Sequence, residues 1–215
     1  MKYLRKFKTE ADVMMTVKPN VVLVGDTGSV LYNFLPVSIQ HIDGTLYSTD
    51  EWIANGFTSD LANGVAVIDK ACSFVIAKSS ITENAIWGAN GLISGATKTT
   101  SQATAEKDFA GAANTQAISS SNSSGGVVLC SNYTFPNGQK GYMPSLGEWL
   151  VARKKKTVID NALNIIGGEL LIGYCWSSTQ YDSSQSWDLH LTSDLIRYSF
   201  RDKTRRVRAF TTLQL

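Results

Sequence analysis

The sequence Tyr-Cys-Trp-Ser-Ser-Thr at residues 174–179 is followed by two runs in which apolar and polar side chains alternate. At residues 187–192, Trp, Leu and Leu alternate with Asp, His and Thr, and at residues 196–201, Ile, Tyr and Phe alternate with Arg, Ser and Arg. A period of two is typical of strands with one buried face, and Ser193-Asp194 supplies a turn between the runs. The stretch therefore predicts a β-hairpin with an apolar inner face and a polar outer face.

The polar outer face of this hairpin is the candidate binding surface. Tyr and Arg contribute most of the energy at many protein interfaces, and Ser and Asp adapt their hydrogen bonds around them. The alternative interpretation is an ordinary hairpin with a solvated outer face. The expected ligand-binding residues are Tyr181, Asp182, Ser184, Asp188, His190, Arg197, Ser199, Arg201, Asp202 and Arg205.

The inner frame of the same segment should consist of Trp176, Trp187, Val207 and Phe210. We expect residues 177–179 to turn the chain, with the Ser and Thr hydroxyls bonded to backbone groups that leave the strand ladder. No GxSxG pattern is present in the sequence, so these serines are interpreted as structural rather than nucleophilic.

The composition is that of a folded soluble protein: 43% of the 215 residues are hydrophobic and 18% are charged. A net charge of +2 provides no general attraction to nucleic acid or anionic lipid. No apolar run approaches the ~20 residues of a membrane-spanning helix, and no apolar segment of a secretory signal follows the basic N-terminus. We therefore expect synthesis in the cytoplasm without a signal peptide. Cys72, Cys130 and Cys175 form no CxxC pair and are interpreted as reduced core thiols.

The chain is predicted to divide near Pro36. Residues 1–36 should form a small β-rich attachment module, because two apolar runs flank a Gly/Asp-rich loop and predict a hairpin at residues 20–34. A lone hairpin is marginally stable, so the module should pack on the main domain or on a second chain, and a homo-oligomer is one expectation. Residues 37–215 should form the ligand-binding domain.

The larger domain is predicted to be α+β, with antiparallel strands, two to three helices and long loops. Its helix with the strongest signal follows Ser145-x-x-Glu148, a capping box. The other predicted elements are strands on both sides of Asp43-Gly44, a short helical turn at residues 50–52, a strand pair at residues 65–68 and 73–77, a loop at residues 79–104 anchored by Trp87, a helix at residues 105–119 and a helix from Thr157 to Gly167.

Three motifs, in this order, resemble a bacterial and phage family. Residues 141–149 (GYMPSLGEW), 174–181 (YCWSSTQY) and 206–210 (RVRAF) are similar to its GYLPSLGE, YWSSTQY and VRAF pattern, with Cys175 where the family commonly has Tyr. Members of the family adopt C-type lectin-like folds related to formylglycine-generating enzymes. The same pattern frames the variable segments of diversity-generating retroelement target proteins. The resemblance covers about residues 60–215 and implies a C-type lectin-like domain.

The resemblance also implies a function. It suggests a non-enzymatic ligand- or receptor-binding protein, such as a phage, prophage or surface-display adhesin-like module with a diversified C-terminal face. The implied partner is a protein or glycan receptor on a cell surface, and the implied location is a virion or another displayed assembly. The alternative is a formylglycine-generating-type enzyme or an inactive relative.

We expect no cofactor and no metal. Lectins that bind calcium use an acidic residue before Pro-Asn, because Ca²⁺ requires carboxylate and carbonyl oxygens, whereas Phe135 precedes Pro136-Asn137. Nucleic-acid binding is a third interpretation, but no aromatic interleaving or groove-reading helix accompanies the basic residues, so we do not expect that partner. The basic residues concerned are Arg197, Arg201, Lys203, Arg205, Arg206 and Arg208.

Overall fold

The computed structural model describes residues 35–213, which form a mixed α+β fold with two five-stranded sheets. The α+β class is therefore confirmed. The predicted hairpin at residues 20–34, and with it most of the attachment module, lies outside the described residues. In the part of the chain that the structure describes, no helix has the length and apolarity needed to cross a bilayer.

Residues 35–213 contain ten strands and six α-helices. The strands are β1 (Val37–His41), β2 (Leu46–Tyr47), β3 (Ala62–Ile68), β4 (Ser73–Ile76), β5 (Thr82–Ala85), β6 (Tyr174–Gln180), β7 (Gln185–His190), β8 (Ile196–Phe200), β9 (Arg205–Val207) and β10 (Phe210–Thr212). The helices are α1 (Thr49–Ala54), α2 (Gln102–Ala105), α3 (Gly111–Ser119), α4 (Gly126–Asn132), α5 (Leu146–Lys154) and α6 (Lys156–Ile165).

The first sheet has the strand order β10-β4-β3-β1-β2 and is antiparallel throughout. The predicted strand pair is confirmed, since β3 pairs with β4, and the strand predicted around Asp43-Gly44 consists of β1 and β2, which pair across the turn at Gly44. Every residue of β3 is buried, as expected for a central strand. Gly64 is required there, because a Cβ at this position would lie 2.3 Å from the carbonyl oxygen of Ile76.

The second sheet has the order β5-β9-β6-β7-β8, with β8 at one edge. All of its pairs are antiparallel except β6 with β9, which are parallel. The predicted hairpin at residues 187–201 is confirmed as β7 and β8. Residues 208–209 link β9 in this sheet to β10 in the first one, so the C-terminal segment connects the two sheets.

Residues 177–179 lie inside β6 and do not turn the chain, so that prediction is wrong. The register between β6 and β7 shifts between Trp176 and Gln180, which removes some backbone groups from the ladder. The predicted role of the hydroxyls is confirmed at Ser177, whose Oγ donates to the carbonyl oxygen of Trp187 at 2.8 Å.

Four buried indoles donate to backbone carbonyl groups on distant segments. Such bonds satisfy both the indole N–H and a carbonyl that would otherwise be buried without a partner. The four bonds are Trp87 to Ser177 (2.8 Å), Trp149 to Trp176 (2.9 Å), Trp176 to Ala85 (3.0 Å) and Trp187 to Thr99 (2.9 Å).

Helices α5 and α6 confirm the two best helix predictions. The Ser145 N–H donates to Glu148 Oε2 at 2.8 Å, as the capping box requires. Helix α6 ends just before Gly167, whose φ of +67° is the left-handed conformation that favours glycine after a helix.

Two predictions between residues 79 and 132 need correction, and one helix in this range was missed. The predicted loop at residues 79–104 contains β5 and most of α2. The predicted helix at residues 105–119 is interrupted, because the carboxylate of Asp108 accepts a hydrogen bond from the Ala110 N–H (3.0 Å) and forms a turn before α3. Helix α4 was not predicted.

We predict that Trp149→Ala will lower the free energy of unfolding by about 3–5 kcal/mol, as expected for a large truncation in a core. The Trp149 ring is fully buried, lies 4.7 Å from the ring of Phe210 and donates to β6. Chemical denaturation measures the change. The control is Ile53→Ala on α1, where the side chain is 61% exposed and the expected change is within about 0.5 kcal/mol. Equal losses would contradict the assignment of Trp149 to the core.

Candidate ligand-binding surface

In strand β8 the exposed and buried side chains are the reverse of those predicted. Tyr198 and Phe200 are 46% and 54% exposed, whereas Ser199 between them is 9% exposed. The register pairs Ser199 with Ser186 and Tyr198 with Trp187, so the polar residues of β7 and β8 share one face of the sheet. In β7 both faces are buried, whereas in β8 the polar face at Ser199 is more covered than the aromatic face.

Three of the ten predicted ligand-binding residues are therefore buried rather than displayed. Asp188 and Arg201 have no exposed surface, and Ser199 is nearly inaccessible. The prediction that they point outward is wrong. An alternating pattern shows that two faces differ in polarity, but it does not show which face the rest of the chain covers.

Asp188 joins three strands through its carboxylate. Arg197 of β8 donates from Nε to Asp188 Oδ1 at 2.9 Å, and Arg205 of β9 donates from Nε to Oδ2 at 2.7 Å. Arg205 also donates from Nη2 to the hydroxyl of Ser199 at 3.0 Å. A buried carboxylate is tolerated only when it is paired and hydrogen-bonded, and both requirements are met here.

Arg201 fixes the loop after β5 against the end of the hairpin. Its Nη1 donates to the carbonyl oxygens of Ala89 (3.1 Å) and Gly91 (2.7 Å), and its Nη2 donates to that of Asp182 (2.8 Å). The guanidinium lies 4.1 Å from the ring centre of Trp87. Desolvation lowers the pKa of Arg201 to about 10, so the group remains a cation at neutral pH.

The exposed part of this region is an aromatic edge formed by Tyr198 and Phe200 together with the partly buried Tyr181. The rings of Tyr181 and Tyr198 are stacked, with centroids 3.8 Å apart and an interplanar angle of 14°. Both rings contact the buried Trp187 edge to face, at 5.3 and 5.8 Å. The two tyrosines of the aromatic edge are therefore supported by the core.

A second, partly exposed group surrounds Tyr174 on the other face of the sheet. The guanidinium carbon of Arg197 lies 3.7 Å from the centre of the Tyr174 ring, and the ring of His190 meets it edge to face at 4.5 Å. Stacking of this kind orients a cation and an aromatic ring together. His190 and Arg197 were predicted as ligand-binding residues, and Tyr174 was not.

The remaining predicted residues lie at turns. Asp182 Oδ1 accepts hydrogen bonds from the N–H groups of Ser184 and Gln185, both at 2.7 Å, and so closes the turn between β6 and β7. Although burial opposes the effect, these N–H bonds lower the pKa of Asp182. Asp202 is exposed in the turn after β8.

The structure thus brings Asp188, His190, Arg197, Ser199 and Arg205 into one cluster and leaves Asp182, Ser184 and Asp202 at turns. Sequence reasoning missed Tyr174, Tyr198 and Phe200. Tyr174 could have been found from pairing, since it stands opposite His190 in the register of β6 and β7.

The six basic residues considered for nucleic-acid binding do not form an open cationic strip. Arg201 and Arg208 are buried. Arg197 and Arg205 are paired with Asp188, and Arg206 is paired with Glu83. Lys203 is exposed.

The cysteines of the described segment are not activated as nucleophiles. Burial raises the pKa of the Cys72 and Cys175 thiols to about 12, and it also raises the pKa of Cys130. A raised thiol pKa disfavours the thiolate that performs cysteine chemistry. Among residues 35–213, no three His, Cys, Asp or Glu side chains are grouped closely enough to hold a metal ion.

Beneath α3 lies a buried acidic group, Glu148. Its Oε1 accepts from the Tyr142 hydroxyl at 3.0 Å, and its Oε2 accepts from the Ser145 N–H. A Cβ on Gly111 would lie 2.1 Å from Oε2, so the carboxyl fills the space that glycine leaves. Desolvation, with a smaller contribution from the charge of Asp108, raises the pKa of Glu148 to about 7.

Comparison with protein-family models and with curated protein sequences gave no match to the chain.

We predict that Asp188→Ala will lower the free energy of unfolding by about 3 kcal/mol, because it leaves Arg197 and Arg205 without their buried partner. The loss should fall at the lower end of the range for broken buried pairs, since Arg197 remains partly solvated. Asp202→Ala, at an exposed turn, should change stability by less than about 0.5 kcal/mol. Urea unfolding of both variants measures the difference, and a stable Asp188→Ala protein would refute the bridging role.

We predict that stability will fall as the pH rises from about 5 to 8. The folded chain holds a proton on Glu148 up to a pKa of about 7, whereas the unfolded chain loses it near the ordinary value of 4.5, so rising pH removes stabilisation across this window. The expected decrease is roughly 3 kcal/mol. Glu148→Gln, which resembles the protonated form, should abolish the decrease.

The control for this pH dependence is Glu51→Gln in the capping box of α1, where the side chain is partly exposed. That variant should keep the slope of the wild type. Unfolding free energies at four or more pH values measure both variants, and a flat profile in the wild type would contradict the assignment to Glu148.

Proposed function

We propose that this chain is a non-enzymatic receptor-binding protein with a C-type lectin-like domain whose C-terminal face contacts the receptor. The observation that supports this most directly is the aromatic edge. Large aromatic side chains with exposed rings and a fixed backbone are the usual anchors of protein interfaces. Here Tyr198 and Phe200 are about half exposed on a strand at the edge of a sheet.

The hydrogen bonds behind the aromatic edge favour its interpretation as a binding surface rather than as an ordinary solvated surface. Asp188 ties β8 to β7 and β9, and Arg201 ties the end of β8 to the loop at residues 89–91. A surface that is ordered before the ligand arrives loses less conformational entropy on binding. Asp188 and Arg201, which were predicted to contact the ligand, instead hold the strand that carries the aromatic edge in place.

The resemblance described above extends the proposal to the biological setting. A phage, prophage or surface-display adhesin-like module would place this face toward a protein or glycan receptor on a cell. Diversification of the C-terminal segment would then alter Tyr181, Tyr198, Phe200 and their neighbours while the network behind them remained. Location on a virion or other displayed assembly is part of the same proposal.

The enzymatic alternative has less support. A formylglycine-generating reaction requires a reactive cysteine, and burial raises the pKa of all three thiols. The nucleic-acid interpretation is weakened by the ion pairs of Arg197, Arg205 and Arg206.

The test is saturable binding of the labelled protein to a panel of bacterial cells. The double variant Tyr198→Ser/Phe200→Ser should bind at least about 10-fold more weakly, which corresponds to about 1.4 kcal/mol. The matched control, Ile53→Ser/Val158→Ser, removes two exposed apolar side chains from α1 and α6 and should bind normally. Unchanged binding by the first variant, or no saturable binding to any cell, would contradict the proposal.

A further inference from the structure

A small polar cleft lies where β5, β6 and β9 meet. Its volume is about 220 Å³, and it is lined by Glu83, Asn84, Tyr174, Thr204, Arg205 and Arg206. Clefts for drug-sized ligands begin at roughly 300 Å³, so this one fits a single small ring.

The cleft is distinct from the aromatic edge. Tyr174 stands opposite His190 in the register, and Tyr198 stands opposite Trp187. His190 and Trp187 are three residues apart on one strand, and side chains an odd number of residues apart point to opposite faces of a sheet. Tyr174 and Tyr198 therefore belong to opposite faces.

The charges of the lining are already balanced. Arg205 is bonded to Asp188 at 2.7 Å, and Arg206 is paired with Glu83 and lies 3.9 Å from Glu169. A phosphate or carboxylate would have to displace an existing carboxylate partner. The cleft thus favours a neutral ligand, although two guanidinium groups line it.

The hydrogen-bonding groups of the lining are of mixed type. Among the described residues, the Tyr174 hydroxyl, the Thr204 hydroxyl and the side-chain amide of Asn84 form no hydrogen bond. Hydroxyl and amide groups both donate and accept, whereas the neighbouring Arg206 only donates and Glu83 only accepts when ionised. A ligand with several adjacent hydroxyl groups can satisfy all of them, because each hydroxyl also donates and accepts.

The walls of the cleft are fixed in position. The Tyr174 ring contacts the Arg197 guanidinium at 3.7 Å and the His190 ring at 4.5 Å. Arg205 is held by Asp188 and by the hydroxyl of Ser199. A site that is ordered beforehand loses less conformational entropy when a weak polar ligand binds.

We propose that this cleft binds one neutral hexopyranose unit of a glycan. The inference rests on the proposed receptor-binding function, since the sugar would belong to the receptor, and it adds a glycan-binding site to the protein-binding aromatic edge. Asn84 and Thr204 contact the sugar hydroxyls, and the Glu83–Arg206 pair binds adjacent hydroxyls by accepting from one and donating to the other.

The test is saturation-transfer NMR on the full chain with the methyl glycosides of glucose, galactose and mannose, each at about 10 mM, a concentration suited to millimolar affinity. At least one glycoside should show saturable transfer. Asn84→Ala and Thr204→Ala should each weaken its binding by about 3- to 10-fold, the loss expected for one or two hydrogen bonds. Both side chains are exposed, so these variants should fold normally.

The matched controls are Asn161→Ala and Thr157→Ala, which remove the same groups from the exposed side of α6 and should leave binding unchanged. Transfer to no glycoside, or equal binding by Asn84→Ala and the wild type, would overturn the inference. Displacement of the glycoside by equimolar inorganic phosphate or acetate would overturn it as well, since the cleft would then be an anion site.

The sugar-binding cleft and the receptor-binding function can be refuted independently of each other. Cell binding that depends on Tyr198 and Phe200, without transfer to any glycoside, would refute the sugar cleft and leave the receptor-binding role intact. Transfer that depends on Asn84, without saturable binding to any cell, would refute the receptor-binding role and support the cleft.

Discussion

The ion-paired carboxylate of Asp188 is the interaction on which the C-terminal half of the structure depends. It lies wholly inside the protein and bonds one arginine from β8 and another from β9. Without it, two guanidinium groups would face each other across the covered side of the sheet. Both arginines lie over the ring of Tyr174, and Arg205 also lines the polar cleft, so one buried charge influences the geometry of the sheet and of a neighbouring site.

Local sequence signals predicted the helices and strands well, but they predicted less well which side chains are buried. The capping box at Ser145, the glycine after α6 and the strand signal of β7 are carried by a few consecutive residues, and each of these elements was confirmed. The facing of β8 depends instead on which side of the sheet is covered, and that is decided by Trp87 and residues 89–91, about 110 positions away. No local pattern contains this information.

The candidate site shows the same division between local and distant information. The sequence drew attention to the C-terminal segment, in which His190 and Arg197 are partly exposed. It could not distinguish Asp188 and Arg201 from the residues on the surface, because polar side chains in a strand are normally exposed and these two are buried only through specific partners. Tyr198 and Phe200, which look like core residues in the sequence, are the ones left at the surface.

The anchors of this fold bind the main chain, and that has a consequence for how its loops can evolve. Trp87, Trp149, Trp176, Trp187 and Arg201 all donate to carbonyl oxygens, and every amino acid has a carbonyl oxygen whatever its side chain. A substitution at Ala89 or Thr99 would leave the acceptor in place. Genetic drift or selection can therefore rewrite the side chains of these loops while the positions of their backbones are inherited unchanged.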